Sequence, residues 1–550
     1  MQPLPAVFNA ATYFIDRHLT EGRAGKTAIE WGDEKITYQQ LGERVNRAGS
    51  ALKNLGMRRE ERVALLLLDT PDFGTCFFGA IKAGGIPVPM NTMLQPAEYE
   101  YMLNDCRARI LIVNESVYPL IEAIPRERLQ YLEDVLVAVN AASGETGARN
   151  TPGDGRTVTF LLEDVMVRSS PFLTAEPTSK DDAAFWLYSS GSTGFPKGCI
   201  HLHHDLVVTS ECYAKAVLNV QESDRLFSVA KLFFAYGMGN GLYFSLAVGA
   251  TTILWPGSPA PNTIFGIIEK SRPTLFFSVP SNFATLLSYR RESGQEFDLS
   301  SVRHAISAGE ALPAAIFHRF KERFGVEILD AIGSTEALHM FIANRPGAVR
   351  PGSSGQLLPS YEARIVDEDD RPVPDNQVGN LLIKGDSICA GYWNQHEKTK
   401  DTIQGHWLRT GDKYYRDEDG YYWYIGRNDD MMKVKGLWVS PVEVENILIE
   451  HPAVQEAAVI GYSDLNQLVK PAAYVVLKDS VTENEKNKDV KHTTPAGGAH
   501  AQLAEELKQL VTSRLAAHKC PQTIEFVTDL PKTATGKIQR YKLRESRSGS

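Results

Sequence analysis

The 550-residue sequence is poor in cysteine and has no excess of positive charge. It contains six cysteines: Cys76, Cys106, Cys199, Cys212, Cys389 and Cys520. None of them forms a C-x-x-C pair, so their spacing favours neither a zinc site nor a disulfide framework. Buried, reduced thiols are the expected state, and this favours a cytoplasmic protein. The formal net charge of −9 gives no indication of a nucleic-acid surface.

The sequence also lacks the patterns of a signal peptide and of a membrane span. The N-terminal segment MQPLPAVFNAATYFIDRHLTEG has no basic start followed by an apolar core. No charged residue occurs between Lys231 and Glu269, but Gly237, Gly239 and Gly241 interrupt this apolar segment. We therefore expect a buried helix and strand there rather than a membrane-spanning helix.

A chain of this length exceeds one hydrophobic core, which predicts at least two domains. Continuous apolar strands at RVALLLLD and ILIVNE alternate with helices. One helix is predicted to start at a capping box of Thr37 and Gln40, and another to cover residues 71–83. Residues 275–345 continue the alternation. The pattern predicts a doubly wound α/β architecture with parallel strands.

The pattern changes after residue 355, where short strands and turns predict a β-rich subdomain. The charged segment GRNDDMMKVKG marks the expected domain boundary. We predict a large N-terminal domain over residues 1–427 and a small, mobile α+β C-terminal domain over residues 428–546. Residues 547–550 resemble the remnant of an expression vector, and residues 480–500 are predicted to form a disordered surface loop.

The most unusual stretch is YSSGSTGFPKG, residues 188–198, which combines glycines, hydroxyl side chains and a lysine behind an apolar run. A glycine-rich turn after a buried strand presents several backbone amides together and can bind anions. The stretch lacks the Gly-Lys-Ser/Thr of a Walker A motif and the spacing of a Gly-x-Ser-x-Gly elbow. From these residues alone, a phosphate loop and a mobile surface loop are both open interpretations.

Further stretches follow it in the order DAIGSTEALHMF, WLRTGD, YIGRNDDMMKVKG and PKTATGKIQR. Together these stretches resemble the adenylate-forming superfamily of acyl- and aryl-CoA ligases, luciferases and peptide-synthetase adenylation domains. The resemblance covers residues 25–543 and implies that the N-terminal domain binds ATP and the acid. It also implies two half-reactions, in which a carboxylate and ATP give an acyl-adenylate and pyrophosphate, and a thiol then displaces AMP. The stretches FWLYSSGSTGFPKG, LFFAYGMGNGLYF and IGSTEALHMF are similar to the benzoate–CoA ligase branch.

This resemblance implies a phosphate and metal site. The loop over the β- and γ-phosphates would consist of Ser189, Ser190, Gly191, Ser192, Thr193, Gly194 and Lys197. Thr335 is the implied α-phosphate contact, and Glu336 and Thr193 are the implied Mg²⁺ ligands. A hard cation prefers oxygen ligands and keeps phosphates in its shell, so one carboxylate suffices.

The resemblance also implies the nucleoside contacts. Asp412 matches the ribose ligand, because a carboxylate accepts strongly from two hydroxyls, and Arg427 supports it. The adenine edge would be formed by Gly309, Glu310, Asp330 and Ile332. Ile332 stands where many relatives have an aromatic residue, so apolar packing replaces stacking there.

In the C-terminal domain, Lys537 matches the catalytic lysine of adenylation, whose ammonium can bridge carboxylate and phosphate oxygens. Asp429 occupies the implied hinge. Rotation about the hinge would withdraw Lys537 and bring Lys435 and Gly436 to CoA, and Gly436 has no side chain to obstruct pantetheine.

The benzoate branch implies an acyl pocket made of Phe234, Ala235, Tyr236, Ala308, Ile332, Gly333 and His339. Aromatic and small residues together suit a flat ring. Ala235 cannot pair with an α-ammonium group, as an Asp near this position does in amino-acid-activating relatives. His339 is either a core histidine or a polar contact to a ring substituent.

The segment HLHHD, with His201, His203, His204 and Asp205, resembles a metal-binding cluster only superficially. Adjacent histidines point apart, which disfavours a tetrahedral site. Asp205 is expected near the start of a helix instead.

We predict an ATP-dependent aryl-CoA ligase for benzoate or a small substituted benzoate such as 2-aminobenzoate, with ATP, Mg²⁺ and CoA required. The alternatives are a freestanding enzyme that loads an aryl acid onto an acyl carrier protein, and a short- or medium-chain acyl-CoA ligase. A catalytically silent nucleotide-binding regulator is disfavoured, because Thr335, Glu336 and Lys537 occur in one chain. The expected protein is a monomer or homodimer without nucleic-acid or membrane partners.

Overall fold

The computed structural model describes residues 3–139, 158–191, 194–434, 437–463, 468–478, 499–532 and 538–548. The surface loop predicted over residues 480–500 lies almost entirely outside these ranges, so that prediction stays untested. Within them, the chain folds into sheets of parallel and antiparallel strands that are connected by helices.

The strands are β1 (Thr27–Trp31), β2 (Glu34–Thr37), β3 (Arg62–Leu66), β4 (Ile86–Pro89), β5 (Ile110–Asn114), β6 (Asp134–Ala138), β7 (Val158–Leu161), β8 (Ala183–Gly191), β9 (Gly194–Leu202), β10 (Arg225–Ser228), β11 (Thr251–Leu254), β12 (Leu275–Ser278), β13 (His304–Ser307), β14 (Ile328–Gly333), β15 (Met340–Ala343), β16 (Gln356–Leu357), β17 (Glu362–Val366), β18 (Gly379–Lys384), β19 (Gly391–Tyr392), β20 (Ile403–Gln404), β21 (Trp407–Arg416), β22 (Tyr422–Arg427), β23 (Met432–Val434), β24 (Leu437–Val439), β25 (Val454–Ser463), β26 (Val469–Leu477) and β27 (Thr523–Phe526).

The helices are α1 (Arg17–Thr20), α2 (Tyr38–Asn54), α3 (Pro71–Lys82), α4 (Pro96–Asp105), α5 (Tyr118–Glu122), α6 (Leu162–Val167), α7 (Asp205–Thr209), α8 (Ala235–Met238), α9 (Phe244–Leu246), α10 (Pro261–Ser271), α11 (Pro280–Ser288), α12 (Ala314–Phe324), α13 (His396–Thr402), α14 (Pro441–Glu450), α15 (Ala499–Arg514) and α16 (Arg540–Ser548).

Two sheets with parallel strands form the body of the molecule. The larger has nine strands in the order β16-β15-β14-β13-β12-β10-β11-β1-β2, and its strands from β14 to β1 are parallel. The smaller has the order β4-β3-β5-β6-β7 and is parallel throughout. The predicted α/β architecture is confirmed. Its strands were recognisable because burial on both faces makes them continuously apolar.

The helices predicted from local signals occur close to their expected positions. The Thr37 hydroxyl accepts the Gln40 amide at 3.2 Å, and Gln40 Oε1 accepts the Thr37 amide at 2.8 Å, so the capping box starts α2. The apolar segment after Lys231 forms short helices and β11, as predicted. In the described residues, no helix is long and apolar enough to cross a membrane. All six cysteines are free thiols, five of them buried.

The residues after Gly355 form the predicted β-rich part. Strands β17, β18, β20, β21 and β22 pair into one antiparallel sheet. A separate antiparallel sheet, β19-β9-β8, connects this part with the stretch YSSGSTGFPKG.

The chain from β23 onward forms a smaller α+β unit. Strands β25 and β26 are antiparallel, and β27 joins β26 in parallel. The helix predicted over residues 501–517 is α15, which ends at Arg514. In α16, Arg547 pairs with Glu525 of β27. A domain boundary between residues 427 and 428 stays a prediction.

Candidate active site

A cleft of about 930 Å³ lies at the carboxyl ends of β13 and β14. This is the edge at which open α/β sheets bind their ligands. The predicted residues that line the cleft are Ser189, Lys197, Gly309, Glu310, Asp330, Ile332, Gly333, Thr335, Glu336, Asp412, Arg427 and Asp429. Ile538 and Arg540, from the end of the chain, also line it. The fold therefore brings together residues that are far apart in sequence.

The glycine- and hydroxyl-rich stretch forms the end of the β8–β9 hairpin. Ser189 is paired with Lys197, and Gly191 with Gly194. The sequence predicted a glycine-rich turn after one strand. Instead, the two halves of YSSGSTGFPKG pair with each other, so β8 and β9 both continue into this stretch. The Tyr101 hydroxyl donates to the carbonyl oxygen of Pro196 at 3.2 Å. This contact fixes one side of the hairpin beside the cleft.

Several predicted residues cannot be placed. Ser192, Thr193, Lys435, Gly436 and Lys537 lie outside the described residues. For Ser190, Gly191 and Gly194, the structure describes only the backbone. Their assigned roles stay predictions.

Glu336 is a carboxylate of the cleft that contacts the hairpin at Ser189. Its Oε1 atom accepts hydrogen bonds from the Tyr392 hydroxyl at 2.7 Å and from the Ser189 hydroxyl at 3.3 Å. Its main-chain carbonyl accepts the Cys389 amide at 2.7 Å. Burial and the neighbouring Glu336 carboxylate raise the pKa of Tyr392, so its hydroxyl stays protonated and donates. The side chain of Glu336 is thus held in one orientation.

The same carboxylate suits a magnesium ion. Both of its side-chain hydrogen bonds from described residues end on Oε1, and Oε2 receives none from that part of the chain. The described residues contain no cluster of three His, Cys, Asp or Glu side chains that could hold a metal. One available carboxylate oxygen beside the predicted phosphate loop fits Mg²⁺, which takes few protein ligands together with substrate phosphates.

Asp412 and Arg427 lie opposite each other on the paired strands β21 and β22. The Arg427 Nη1 atom lies 3.2 Å from Asp412 Oδ1 and donates to the Thr410 carbonyl at 3.1 Å. Burial alone would lower the pKa of Arg427, but the Asp412 carboxylate outweighs it and the pKa is raised. This ion pair, in which Asp412 is buried and Arg427 is partly exposed, forms one wall of the cleft.

The opposite wall contains Gly309, Glu310 and Asp330. Gly309 has a φ of +93°, which an L-residue rarely adopts, so glycine is required by the backbone rather than by space. Asp330 Oδ1 has no hydrogen-bond partner among the described residues, and burial raises the pKa of this carboxyl well above its usual value. Asp330 thus lines the cleft as a largely buried carboxyl group.

Glu310 connects this wall with the end of the chain. Its Oε1 atom accepts the backbone amide of Ile538 at 2.8 Å. Ile538 directly follows Lys537 in the sequence. The contact therefore anchors the segment next to the predicted catalytic lysine at the nucleotide cleft.

Of the predicted acyl-pocket residues, Ile332 and Gly333 line the cleft, whereas its lining does not include Phe234, Ala235, Tyr236, Ala308 or His339. Ala235 begins α8 and is buried, as is Ala308, while Phe234, Tyr236 and Ile332 are partly buried. The Tyr236 hydroxyl donates to the carbonyls of Ser278 and Ile306 at 3.0 and 3.2 Å. These bonds fix the tyrosine ring against the ends of β12 and β13.

His339 lies among aromatic rings in this region. Its ring centroid is 4.5 Å from that of Phe244, and its Nε2 atom lies 3.3 Å from the Tyr236 carbonyl. Nδ1 has no partner among the described residues. Burial lowers the pKa of His339 to about 3, so the ring is neutral at physiological pH. A Cβ on Gly239 would lie 2.5 Å from the imidazole, which explains the glycine there.

The HLHHD histidines contact different main-chain groups, but His201 and His204 both lie beside the Asp205 carboxylate, at 2.8 and 3.2 Å. His203 Nδ1 accepts the Ala10 amide at 3.1 Å, and His204 Nδ1 lies 3.0 Å from the Lys180 carbonyl. His201 contacts Asp205 and the Thr335 carbonyl, each at 2.8 Å. Asp205 starts α7, as expected.

Two residues of the site were missed by the sequence interpretation. Tyr392 holds Glu336, and its ring lies 4.6 Å from the Lys197 ammonium. His201 reaches the Thr335 turn from β9. A lone tyrosine or histidine has no spacing signal, because each contact joins segments that are distant in sequence.

The fold and the cleft define an enzyme that binds a nucleotide and a small acid. The AMP-binding enzyme family matches residues 16–393, and the AMP-binding enzyme C-terminal domain matches residues 443–537. The chain belongs to this family.

Individual members of this family that are similar to the chain include benzoate and anthranilate CoA ligases. The benzoate–CoA ligase of Thauera aromatica is 45% identical over 545 residues, covering 99% of this chain and 97% of its own. The crystal structure of the anthranilate CoA ligase AuaEII with anthranoyl-AMP has a TM-score of 0.89 and 44% identity, covering 99% and 98% of the two chains. A benzoate CoA ligase from Burkholderia xenovorans LB400 has a TM-score of 0.84 and 44% identity, covering 98% and 100%.

Proposed function

We propose that the protein is an ATP-dependent aryl-CoA ligase. It joins benzoate or a small substituted benzoate such as 2-aminobenzoate to AMP, with release of pyrophosphate. It then transfers the acyl group to CoA, with release of AMP. The observation that carries the proposal is the meeting of Glu336 and the Asp412–Arg427 pair in one cleft, beside Ile332 and Gly333 at the end of β14.

The acyl pocket supports an aromatic acid over an aliphatic or amino acid. Ala235 offers no carboxylate for an ammonium group, and the neutral His339 ring supplies none either. Rings such as Phe244 and Tyr236 surround His339 and favour another flat ring. The names of the similar ligases, which include benzoate and anthranilate enzymes, favour the same substrate class.

In the first half-reaction, we assign Thr335 to the α-phosphate and Ser189 and Lys197 to the leaving pyrophosphate. Preorganised donors stabilise charge where it develops. Glu336 would hold Mg²⁺, which supplies neutralising charge for the phosphates. Asp412 and Arg427 bind the ribose, and Asp330 faces adenine.

We assign Lys537 to bridging the attacking carboxylate and the α-phosphate, which the Ile538–Glu310 contact supports by its position. The second half-reaction needs Lys537 to leave, and Asp429 lies at the cleft where such a hinge would act. CoA is the proposed acceptor, with a carrier protein as the alternative.

A substrate panel tests this function. AMP release in the presence of CoA is measured with benzoate, aminobenzoates, hydroxybenzoates, cinnamate and short fatty acids. The proposal expects the highest kcat/KM with benzoate or 2-aminobenzoate. A highest kcat/KM with a straight-chain acid would contradict the aryl assignment. A failure to release AMP unless a carrier protein replaces CoA would contradict the proposed acceptor.

A further inference from the structure

A buried histidine–aspartate pair, His201 and Asp205, lies next to the turn that contains Thr335 and Glu336. Neither residue of the pair is among the proposed contacts with substrate. His201 Nδ1 and Asp205 Oδ2 are 2.8 Å apart, and both side chains are fully buried. The Leu202 amide donates to the same Asp205 oxygen at 3.1 Å. The imidazole also stacks on Phe185, with centroids 5.2 Å apart and planes at 19°. The ring therefore has one defined position.

The second ring nitrogen of His201, Nε2, contacts the turn that contains Thr335 and Glu336. His201 Nε2 lies 2.8 Å from the Thr335 carbonyl oxygen. A carbonyl can only accept, so Nε2 carries a proton and donates it. Asp205 holds the opposite nitrogen and so fixes the ring orientation in which Nε2 reaches Thr335. This is the arrangement by which an outer carboxylate usually orients a functional histidine.

The turn that receives this bond contains backbone strain. Leu338 has a φ of +65°, in the left-handed region that a leucine rarely adopts. Its amide donates to the same Thr335 carbonyl at 3.1 Å. Such a conformation persists only when surrounding contacts hold it. His201 and the Leu338 amide together fix the Thr335 carbonyl, and Tyr392 fixes the Glu336 side chain.

We propose that His201 is a positioning residue, which with Asp205 sets the orientation of Thr335 and thereby of the adjacent metal ligand Glu336. The proposal rests on the proposed function, since it gives those two residues their roles. It predicts that the bond to Thr335, rather than the volume of the imidazole, determines the rate of adenylate formation.

Two amide substitutions of His201 distinguish the hydrogen bond of Nε2 from that of Nδ1. The Gln amide in His201→Gln reaches the position of Nε2 and can donate to Thr335. The shorter amide in His201→Asn reaches Asp205 but not Thr335. We expect benzoate-dependent exchange of labelled pyrophosphate into ATP to fall about 10- to 100-fold in His201→Asn, with a higher Mg²⁺ requirement. His201→Gln should stay within about threefold of the wild type, since it keeps the Thr335 hydrogen bond.

Controls exclude a simple loss of stability. His318→Asn and His318→Gln alter an exposed histidine of α12, whose ring packs on Phe317. Both should retain activity. Equal losses in the two His201 variants, no loss in either, or losses that follow Tm would overturn the proposal. Absence of acid-dependent exchange in the wild type would instead overturn the proposed function.

A spectroscopic measurement serves if His201→Asn does not fold. In the wild type labelled with ¹⁵N-histidine, the Nε2 proton of His201 should be protected from solvent exchange. It is assigned by its loss in His201→Gln. Its resonance should shift when ATP and Mg²⁺ bind, because the Thr335 turn then contacts phosphate. A resonance that ignores the nucleotide would contradict the proposal.

Discussion

Two regions are held in place in different ways: the part of the cleft around Glu336, which we propose binds phosphate and call the phosphate end, and the buried region around Ala235 and His339, which we propose binds the aryl acid and call the acyl end. At the phosphate end, hydrogen bonds from Tyr392 and Ser189 fix a carboxylate. At the acyl end, ring contacts and a glycine fitted closely against His339 define the space. Charge and hydrogen bonding therefore govern one end, whereas volume and the exclusion of charge govern the other.

The largest effect is expected from removing a charge at the phosphate end. Lys537→Ala should lower benzoate-dependent pyrophosphate exchange about 100- to 1,000-fold, since a preorganised charge stabilises the transition state. Thioester formation from prepared benzoyl-AMP and CoA should continue, because the role that we propose for Lys537 is confined to adenylation. The control is Lys542→Ala, an exposed lysine in α16. Equal loss of both half-reactions would contradict the assigned role.

Adding a charge at the acyl end tests whether this region excludes charge, in contrast to the phosphate end. Ala235→Asp should lower kcat/KM for benzoate about 100-fold, because a buried carboxylate without a partner costs several kcal/mol and repels the substrate carboxylate. The KM for ATP should change little.

Ala235→Asn is the matched control, since it has nearly the same volume without the charge. It should lose less activity than Ala235→Asp. If the two variants are equally impaired, size rather than charge controls this end of the cleft.

A smaller effect is expected when a hydrogen bond is removed but the ring remains. Tyr392→Phe loses the 2.7 Å bond to Glu336 and keeps the ring beside Lys197. Hydrogen bonds to charged groups contribute about 1.5–3 kcal/mol, so pyrophosphate exchange should fall about tenfold or more. The Mg²⁺ concentration that gives half-maximal pyrophosphate exchange should also be higher.

Tyr421→Phe serves as the control, because the Tyr421 hydroxyl donates to the Ala348 carbonyl instead. Unchanged exchange and Mg²⁺ dependence in Tyr392→Phe would show that Ser189 and the main chain suffice to orient Glu336.

The same difference between the two ends explains what the sequence could predict. Phosphate chemistry requires particular residue types close together in sequence. YSSGSTGFPKG and the motifs that follow it therefore carried the resemblance that implied the nucleotide site, although YSSGSTGFPKG alone also fitted a mobile surface loop. The parallel strands were predictable from their apolar runs. Ala235 and Gly333 could be assigned to the acyl pocket only through a resemblance, because no local spacing identifies a wall made of small residues.

Tyr392 and His201 were missed for a related reason. Tyr392 reaches Glu336 from β19, and His201 reaches Thr335 from β9, so both contacts depend on how the β19-β9-β8 sheet packs beside β14. Tertiary packing between sheets has no periodicity along the chain. The closeness of Gly239 to His339 depends on packing in the same way.

The smallest predicted effect is the contribution of His339 to the pH dependence of folding stability. Burial lowers its pKa from 6.5 to about 3 in the folded protein. Between those values the unfolded chain binds a proton that the folded protein does not, so stability falls as pH decreases through this window. One such group contributes at most about 1.4 kcal/mol per pH unit. His18 and His203, whose pKa values burial lowers to about 4, act in the same direction.

Thermal unfolding of the wild type and of His339→Asn between pH 5 and 7.5 measures this linkage. The wild-type Tm should decrease toward pH 5, and the decrease should be shallower in the variant, which lacks one of the three histidines whose pKa burial lowers to about 3 or 4. In the wild type, the ratio of kcat/KM for benzoate to that for 2-aminobenzoate should stay constant over this range, because His339 remains neutral. A ratio that titrates near pH 6.5 would mean that a protonated His339 contacts the ring substituent. The acyl end would then depend on charge, as the phosphate end does.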